Sequence, residues 1–546
     1  MSTDDAAVEH QRHSTHQLIR SSAIVGIGTA LSRVTGFLRI AAIAYALGVT
    51  TMAGVYSYAN ETPNIVYELL LGGILTATLV PQFVRHLQSR DTKATSQIVT
   101  VALLALLGIT VLGEILAPWI IDIYTLRVTG PGLAEQQAAA TSLLRLFMPQ
   151  MFFYGFTALA TALLHARRKF AAAAFAPILN NVVVIAIFLA LPQIINGPIT
   201  VERVNNDKGL LVLLGLGTTA GIVAMALALI PALVRSGVRL SFLPAFKSAA
   251  VRTVVRLSGW TVGYVVANQI ALAVVLILAN SRPGGAFAYL AAFAFFQLPH
   301  GLFTVSVTTA VAPDLAAASG RGDAPGFRHR FARALRLTLI VVIPSAVVLL
   351  VLAQPIVVAL LQRGAFTARD AALVGDTLAG FAIGLPFFST YLFALRGFYS
   401  LSDTRTPFFL NCFENAVNIV LAIVLYDAYG IPGLALAFSM AYALASVLTL
   451  SVLSRRLGGL RGRNIGATTG RVLIVSLVAG AGAWGVSQAI GHSSAATALM
   501  TVVVGLAVAV GVVVAGYWAL RIKEFQELVR LRRRRRGGTA APNLPR

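Results

Sequence analysis

Two arginines, Arg33 and Arg39, stand inside the first long apolar stretch of the chain, where Thr29, Ser32, Gly36 and Arg39 recur at helical spacing. One side of a helix over this stretch is therefore polar and carries two fixed positive charges. A guanidinium stays ionised and presents a planar fork of donors that engages phosphate or carboxylate bidentately. A cavity lined this way suits an anionic headgroup. The other use of such residues is internal: Glu61 and Glu68 of the next apolar stretch would pair with Arg33 and Arg39 and hold two helices together. Further along, Glu114, Arg145, Arg396 and Glu414 also lie within apolar stretches. A charge at the centre of a bilayer costs at least about 2.5–3.5 kcal/mol, so each is expected to face a cavity or a partner; Glu114 and Arg145 lie near helix ends, where they can snorkel. A last cluster comprises Asn411, Glu414, Asn415 and Asn418, in which Asn411 and Asn415 share one face and Glu414 and Asn418 another. Oxygen ligands of this kind suit a hard cation such as Na+ near Asn411 and Asn415. Hydrogen bonding between helices is the commoner use of asparagine and is the preferred reading.

The elements that must position these residues are membrane helices. Of the 546 residues, 57% are apolar and only 12% charged, at a mean hydropathy of +0.80. Soluble domains are about 45–50% apolar and about 25% charged, so that class is excluded, as is a disordered chain. Apolar stretches fall at about 18–48, 52–82, 95–120, 138–165, 171–192, 209–234, 250–279, 285–316, 334–356, 373–400, 407–427, 431–454, 470–490 and 496–520, each near the length of about 20 residues that spans a bilayer. The fold class expected is an all-α polytopic membrane protein of about fourteen transmembrane helices. The first stretch is too long for the apolar region of a signal peptide and is expected to remain as a span.

The net charge of +23 is distributed, not diffuse. With the N-terminus in the cytoplasm, 32 basic residues fall in inward connectors and tails and six in outward ones, as the positive-inside rule requires. Both termini are then cytoplasmic. The run Arg532 to Arg536 follows the last span and is expected to meet anionic lipid headgroups, not nucleic acid. Cys412 is the only cysteine, which excludes an internal disulfide or a cysteine metal cluster. No phosphate-binding loop of the Gly-x-x-x-x-Gly-Lys-[Ser/Thr] type is present. No cofactor is expected, and any work done across the membrane would have to draw on membrane potential or an ion gradient such as Na+.

The second half echoes the first at an offset near 234 residues. Phe153 and Asn181 are followed by Phe387 and Asn415, and Pro63 and Pro81 by Pro299 and Pro313. An even number of helices separates the copies, giving a parallel repeat of two six-helix lobes around a central cavity. The expected organisation is a tail at 1–17, an N-lobe at 18–234, a C-lobe at 235–456, two further helices at 457–520 and a basic tail at 521–546.

Several stretches carry a family likeness: Ser32-Arg33-Val34-Thr35-Gly36-Phe37-Leu38-Arg39, Pro63-Asn64, Leu71 to Ala77, Val80-Pro81, Leu298-Pro299-His300-Gly301, and Arg396 to Pro407. Together they resemble the MurJ (MviN) family of lipid II flippases over about residues 20 to 520. The resemblance implies a transporter, not an enzyme, of the MOP exporter superfamily in the bacterial plasma membrane. Its cargo would be an undecaprenyl-pyrophosphate-linked peptidoglycan precursor, lipid II or a related polyprenyl-pyrophosphate glycan, moved from the inner to the outer leaflet by alternating access, with cell-wall synthesis or division proteins as partners. Arg33 and Arg39 carry over as the family's cavity arginines. Ser32 and Asn64 in the same motifs and Arg396 from the other lobe complete the expected substrate site, while Glu68, Glu414, Asn411, Asn415 and Asn418 are the candidates for coupling or gating. The chain departs from the family at Tyr67 and Glu68, where arginines are common, at Gly72, where an acid is expected, and near Ala294, where an arginine precedes the helix 8 proline. These departures suggest a divergent, actinobacterial-type branch. A multidrug exporter of the same superfamily would hold a cavity acid for cationic drugs, another lipid-linked glycan would look the same to two arginines, and a non-transporting cell-wall scaffold would tolerate their loss.

Overall fold

The computed structural model describes residues 3–69, 78–89, 91–460 and 462–527, with side chains from residue 24 onward apart from Val66, Leu69 and Arg463. The motif at Leu71 to Ala77 and the run Arg532 to Arg536 lie outside the described residues. Among them there are helices and no strand, as expected of a chain whose backbone polar groups must be satisfied within each segment in lipid. Among the described residues, thirteen helices are long and apolar enough to cross a membrane. The remaining expected span, 52–82, is seen only as the helices on either side of residues 70–77.

Packing divides the chain into two compact units, residues 1–287 with 363–366, and 288–362 with 367–546. The first holds α1 (Thr3–Leu47), α2 (Thr51–Leu69), α3 (Val80–Gln88), α4 (Thr92–Tyr124), α5 (Leu133–Phe147), α6 (Pro149–Ala166), α7 (Ala171–Ile194), α8 (Val201–Asn206), α9 (Lys208–Leu227), α10 (Ile230–Arg235) and α11 (Ala249–Ala279). After the junction helix α12 (Gly285–Pro299), the second holds α13 (Val305–Gly320), α14 (Ala324–Val351), α15 (Ala353–Leu361), α16 (Ala368–Ser400), α17 (Arg405–Tyr429), α18 (Ile431–Leu457), α19 (Gly462–Ile490) and α20 (Ala495–Ala519). The boundary drawn from the repeat, 234/235, and the one drawn from packing differ by a helix, because α11 packs on α2 and α4. Residues 363–366 join the first unit through the Ala365 amide, which donates to the Tyr45 carbonyl at 2.8 Å.

Helix starts follow local chemistry. Asp91, Asp207, Ser248, Asp323, Thr367 and Ser494 each accept a first-turn amide with their side chains, the use for which short oxygen-bearing residues are favoured at this position. Breaks do too. The expected span at 138–165 is α5 and α6 joined at Met148 and Pro149, since a proline cannot donate to the preceding turn. In the span at 285–316, a π-turn over His300–Thr304 follows Pro299.

Leu112, Ile115 and Trp119 of α4 and Val510 and Val514 of α20 are exposed, as side chains bathed in lipid tails would be. The well-buried spans are α5 with α6, and α16. In the second unit, Phe438 meets Phe296 and Phe381 edge to face at 5.5 and 5.2 Å, and such pairs add about 0.5–1.5 kcal/mol each beyond the area they bury. The α16–α18 contact is closer still. Gly384 faces Ser439, whose Cα lies 2.8 Å from where a Cβ on Gly384 would stand, and Ser439 Oγ donates to the Gly380 carbonyl at 2.7 Å. Small residues that let backbones approach replace the hydrophobic drive that lipid cannot supply.

Candidate transport site

In the first unit the polar face of α1 is set by its packing on α7. Gly28 leaves room for Ala174 and Phe175, both 2.9 Å from the position a Cβ would take. About two turns later, Asn181 Nδ2 donates to Thr35 Oγ1 at 2.9 Å and to the Ser32 carbonyl at 3.2 Å. Ser32 thus uses its backbone in the fold and keeps a half-buried side chain. Seated this way, α1 leaves Arg33 exposed and Arg39 half-buried.

Arg39 lies within electrostatic reach of Tyr56, Glu61 and Tyr67 of α2 and of Tyr154 of α6. Tyr67 and Tyr154 bring their ring centroids to 4.7 Å, and the Tyr56 hydroxyl shares a 2.9 Å hydrogen bond with Thr218. Asn64 donates to the Glu61 carboxylate, and Glu68 acts electrostatically on both Glu61 and Tyr67. Glu61 is half-buried. Among the described residues, no ion pair joins Arg33 or Arg39 to Glu61 or Glu68. The structure brings together Arg39, Asn64, Glu61 and Glu68, and adds Tyr56, Tyr67 and Tyr154, which sequence patterns missed. Their only early trace was Tyr67, seen as a departure and not as part of a ring pair. Asn181, noticed as a repeat marker, positions the helix that carries both arginines.

In the second unit, Arg396 is exposed on α16 near Tyr399. Asn411, Glu414, Asn415 and Asn418 are all buried on α17, so both faces read from the sequence point inward, while Phe413, Val420 and Val424 point out. Asn415 Nδ2 donates to the Asn411 carbonyl at 2.9 Å. Glu414 Oε2 and Asn418 Oδ1, one helical turn apart, carry no hydrogen bond. A buried acceptor left without a donor costs about 1–3 kcal/mol, and two such oxygens are a pair that a proton or a cation would satisfy. Among the described residues no group of three or more His, Cys, Asp or Glu is arranged for a metal, so a cation here would draw on amide and carbonyl oxygens as well.

The motif from Arg396 to Pro407 ends in a fixed turn. Asp403 accepts the Thr406 hydroxyl at 2.6 Å and the Thr406 and Arg405 amides at 3.0 Å, and it pairs with Arg456 at the end of α18. Partial burial pushes the carboxyl up, but the bonds from Thr406 and the Arg456 guanidinium outweigh it and hold the carboxyl below the usual carboxylate range.

With this geometry in place, comparison with known proteins is decisive. A sequence model described as "Lipid II flippase MurJ" matches residues 43–516. The chain belongs to the MurJ family. A probable lipid II flippase MurJ of Rhizobium meliloti (strain 1021) is 28% identical over 457 residues, covering 82% of each chain, and one of Synechocystis sp. (strain ATCC 27184 / PCC 6803 / Kazusa) is 28% identical over 487 residues, covering 86% of this chain and 88% of the other. Among solved structures, a lipid II flippase MurJ in an inward closed conformation superposes with a TM-score of 0.74 at 23% identity, over 91% of this chain and 99% of that one. An inward-facing MATE family transporter of the MOP superfamily gives 0.63 at 14% identity, over 79% and 96%. These likenesses establish the MurJ fold and its wider class of all-α, multi-pass membrane transporters.

Proposed function

We propose that this chain is a lipid II flippase of the bacterial plasma membrane, moving the precursor from the cytoplasmic to the outer leaflet by alternating access, with both termini in the cytoplasm. Membership of the MurJ family along nearly the whole chain carries this reading. It is transport and not catalysis. The polar face of α1 supports a substrate site in which Arg39 and Arg33 hold the pyrophosphate, with Ser32 and Asn64 alongside; Arg396 of the C-lobe is a further candidate cargo contact, and the lobes are those at 18–234 and 235–456. Glu414 with Asn418, and Asn411 with Asn415, form the coupling site for Na+ or a proton, and Glu68 takes part in gating. The C-terminal basic tail meets anionic lipids, and cell-wall synthesis or division proteins are the protein partners.

The test is lipid II exposure on the outer face of bacteria depleted of their own flippase, comparing the intact chain with its Arg33→Ala and Arg39→Ala forms at matched expression. Restoration by the intact chain and its loss in both variants is the expected result. Glu61 and Glu68 beside Arg39 favour a second reading, a MOP-type exporter of a cationic cargo. That reading wins if the inserted, intact chain restores no lipid II exposure and Glu61→Gln abolishes efflux of a cationic dye.

A further inference from the structure

Away from the cluster around Arg39, the first unit holds a cleft of 430 Å³ between the α6–α7 turn, the start of α7, the end of α10 and Ile24 of α1. Its charged lining is Arg168, Lys169 and Arg235, and no carboxylate lines it among the described residues. The rest is small or apolar, including Ile24, Phe170 and Ala232.

The turn that presents two of these cations is fixed. Arg167 Nη1 donates to the Ser236 carbonyl at 2.5 Å, tying the turn to the end of α10, while the Arg168 and Lys169 amides donate back to His165 and Leu164 at 2.9 and 2.8 Å. Arg168 itself has φ +58°, just past the end of α6, a position where glycine or asparagine is the usual residue. A strained conformation kept by a long cationic side chain is a reason to look for what that side chain does.

We infer that this cleft binds the phosphate of an anionic phospholipid headgroup. Three cations with no acid among them favour a phosphate, which arginine engages through its fork and lysine as a point charge. The apolar remainder, at the membrane-proximal ends of helices whose bodies lie among lipid tails, fits the glycerol and first methylenes of a lipid better than it fits a hydrated free anion. The amides opening α7 at Ala171 and Ala172 add partial positive charge on the same side. The site is independent of the cargo reading and survives its failure.

The experiment uses the full chain in phosphatidylcholine nanodiscs with added phosphatidylglycerol, reading retained lipid by native mass spectrometry. The cleft variant combines Arg168→Gly, Lys169→Gln and Arg235→Gln. Its control, Arg239→Gln with Lys247→Gln and Arg252→Gln, removes equal charge from connectors outside the cleft. Near an anionic surface each cation contributes about fivefold, so the cleft variant is expected to lose preference for phosphatidylglycerol by about a hundredfold, while the control keeps most of it. Equal losses in both triples, or none in either, overturn the proposal. Thermal protection of the detergent-solubilised chain by inorganic phosphate equal to that by phosphatidylglycerol also overturns it, since the cleft then takes a free anion. Should the triple variant unfold, the single Lys169→Glu is read in the same assay, with the same outcomes deciding.

Discussion

The contact between Asn181 and α1 allows the sharpest test, because everything it touches stays satisfied when it is removed. Asn181→Ala deletes two hydrogen bonds, to Thr35 Oγ1 at 2.9 Å and to the Ser32 carbonyl at 3.2 Å. Thr35 Oγ1 still donates to the Leu31 carbonyl at 2.9 Å, and the Ser32 carbonyl is already inside a helix. No orphan is created, so the cost is close to the bonds alone. Side-chain hydrogen bonds between membrane helices average about 0.6 kcal/mol with a maximum near 1.7, which gives roughly 1–2 kcal/mol for the pair. Unfolding of the purified chain titrated with sodium dodecyl sulfate would measure this. Thr35→Val removes one acceptor, and the double variant with Asn181→Ala closes a cycle whose coupling should be about 0.6 kcal/mol. Strict additivity, within the roughly 0.3–0.5 kcal/mol typical of independent sites, would refute the claim that this amide seats α1.

Asp403→Ala is expected to cost about 1–2 kcal/mol at neutral pH through the lost turn bonds and the Arg456 pair. Because the folded-state carboxyl lies below its ordinary value near 3.9, that contribution is complete above this value and drains away as pH falls through the folded-state one. Unfolding curves of parent and variant should therefore converge in acid; a gap that widens on acidification contradicts the assignment. Gly384→Val should destabilise by well over 1 kcal/mol, since the new side chain would meet the Ser439 backbone at 2.8 Å, and a variant as heat-stable as the parent would show that α16 and α18 can part. For coupling, Glu414→Gln should erase any gain in thermal stability that NaCl gives over choline chloride; an undiminished gain places the ion elsewhere.

Thirteen of the fourteen spans and most of their limits were legible because hydropathy acts residue by residue. α4, α7, α9 with α10, and α20 overlap the stretches read from composition nearly end to end. Arg39 and Glu414 were legible for the same reason, since a charge amid apolar neighbours stands out locally. Partners were not. Asn181 and Thr35 are 146 residues apart, and nothing in either segment names the other. The tyrosines around Arg39 look in sequence like ordinary aromatic residues of a membrane helix; only the turn of α2 against α6 makes them a lining. The basic cleft joins three segments, yet one signal was available: an arginine in the place just after a helix where glycine is favoured.

The α16–α18 junction has a kinetic side. With a serine hydroxyl fastened to one carbonyl and a glycine pressed on the next backbone, a slide of even one residue rise, about 1.5 Å, would drive Ser439 into the Cα of its neighbour before any new bond formed. One turn away Gly380 is held in the same way, the place of a Cβ on it lying 3.2 Å from the Pro432 carbonyl and 3.1 Å from Ala435 Cβ, so the two notches must be left together. Whatever swings during a transport stroke, this pair travels as one beam, and the pivots have to be sought where proline and the π-turn have already loosened the ladder, at Pro299 and His300.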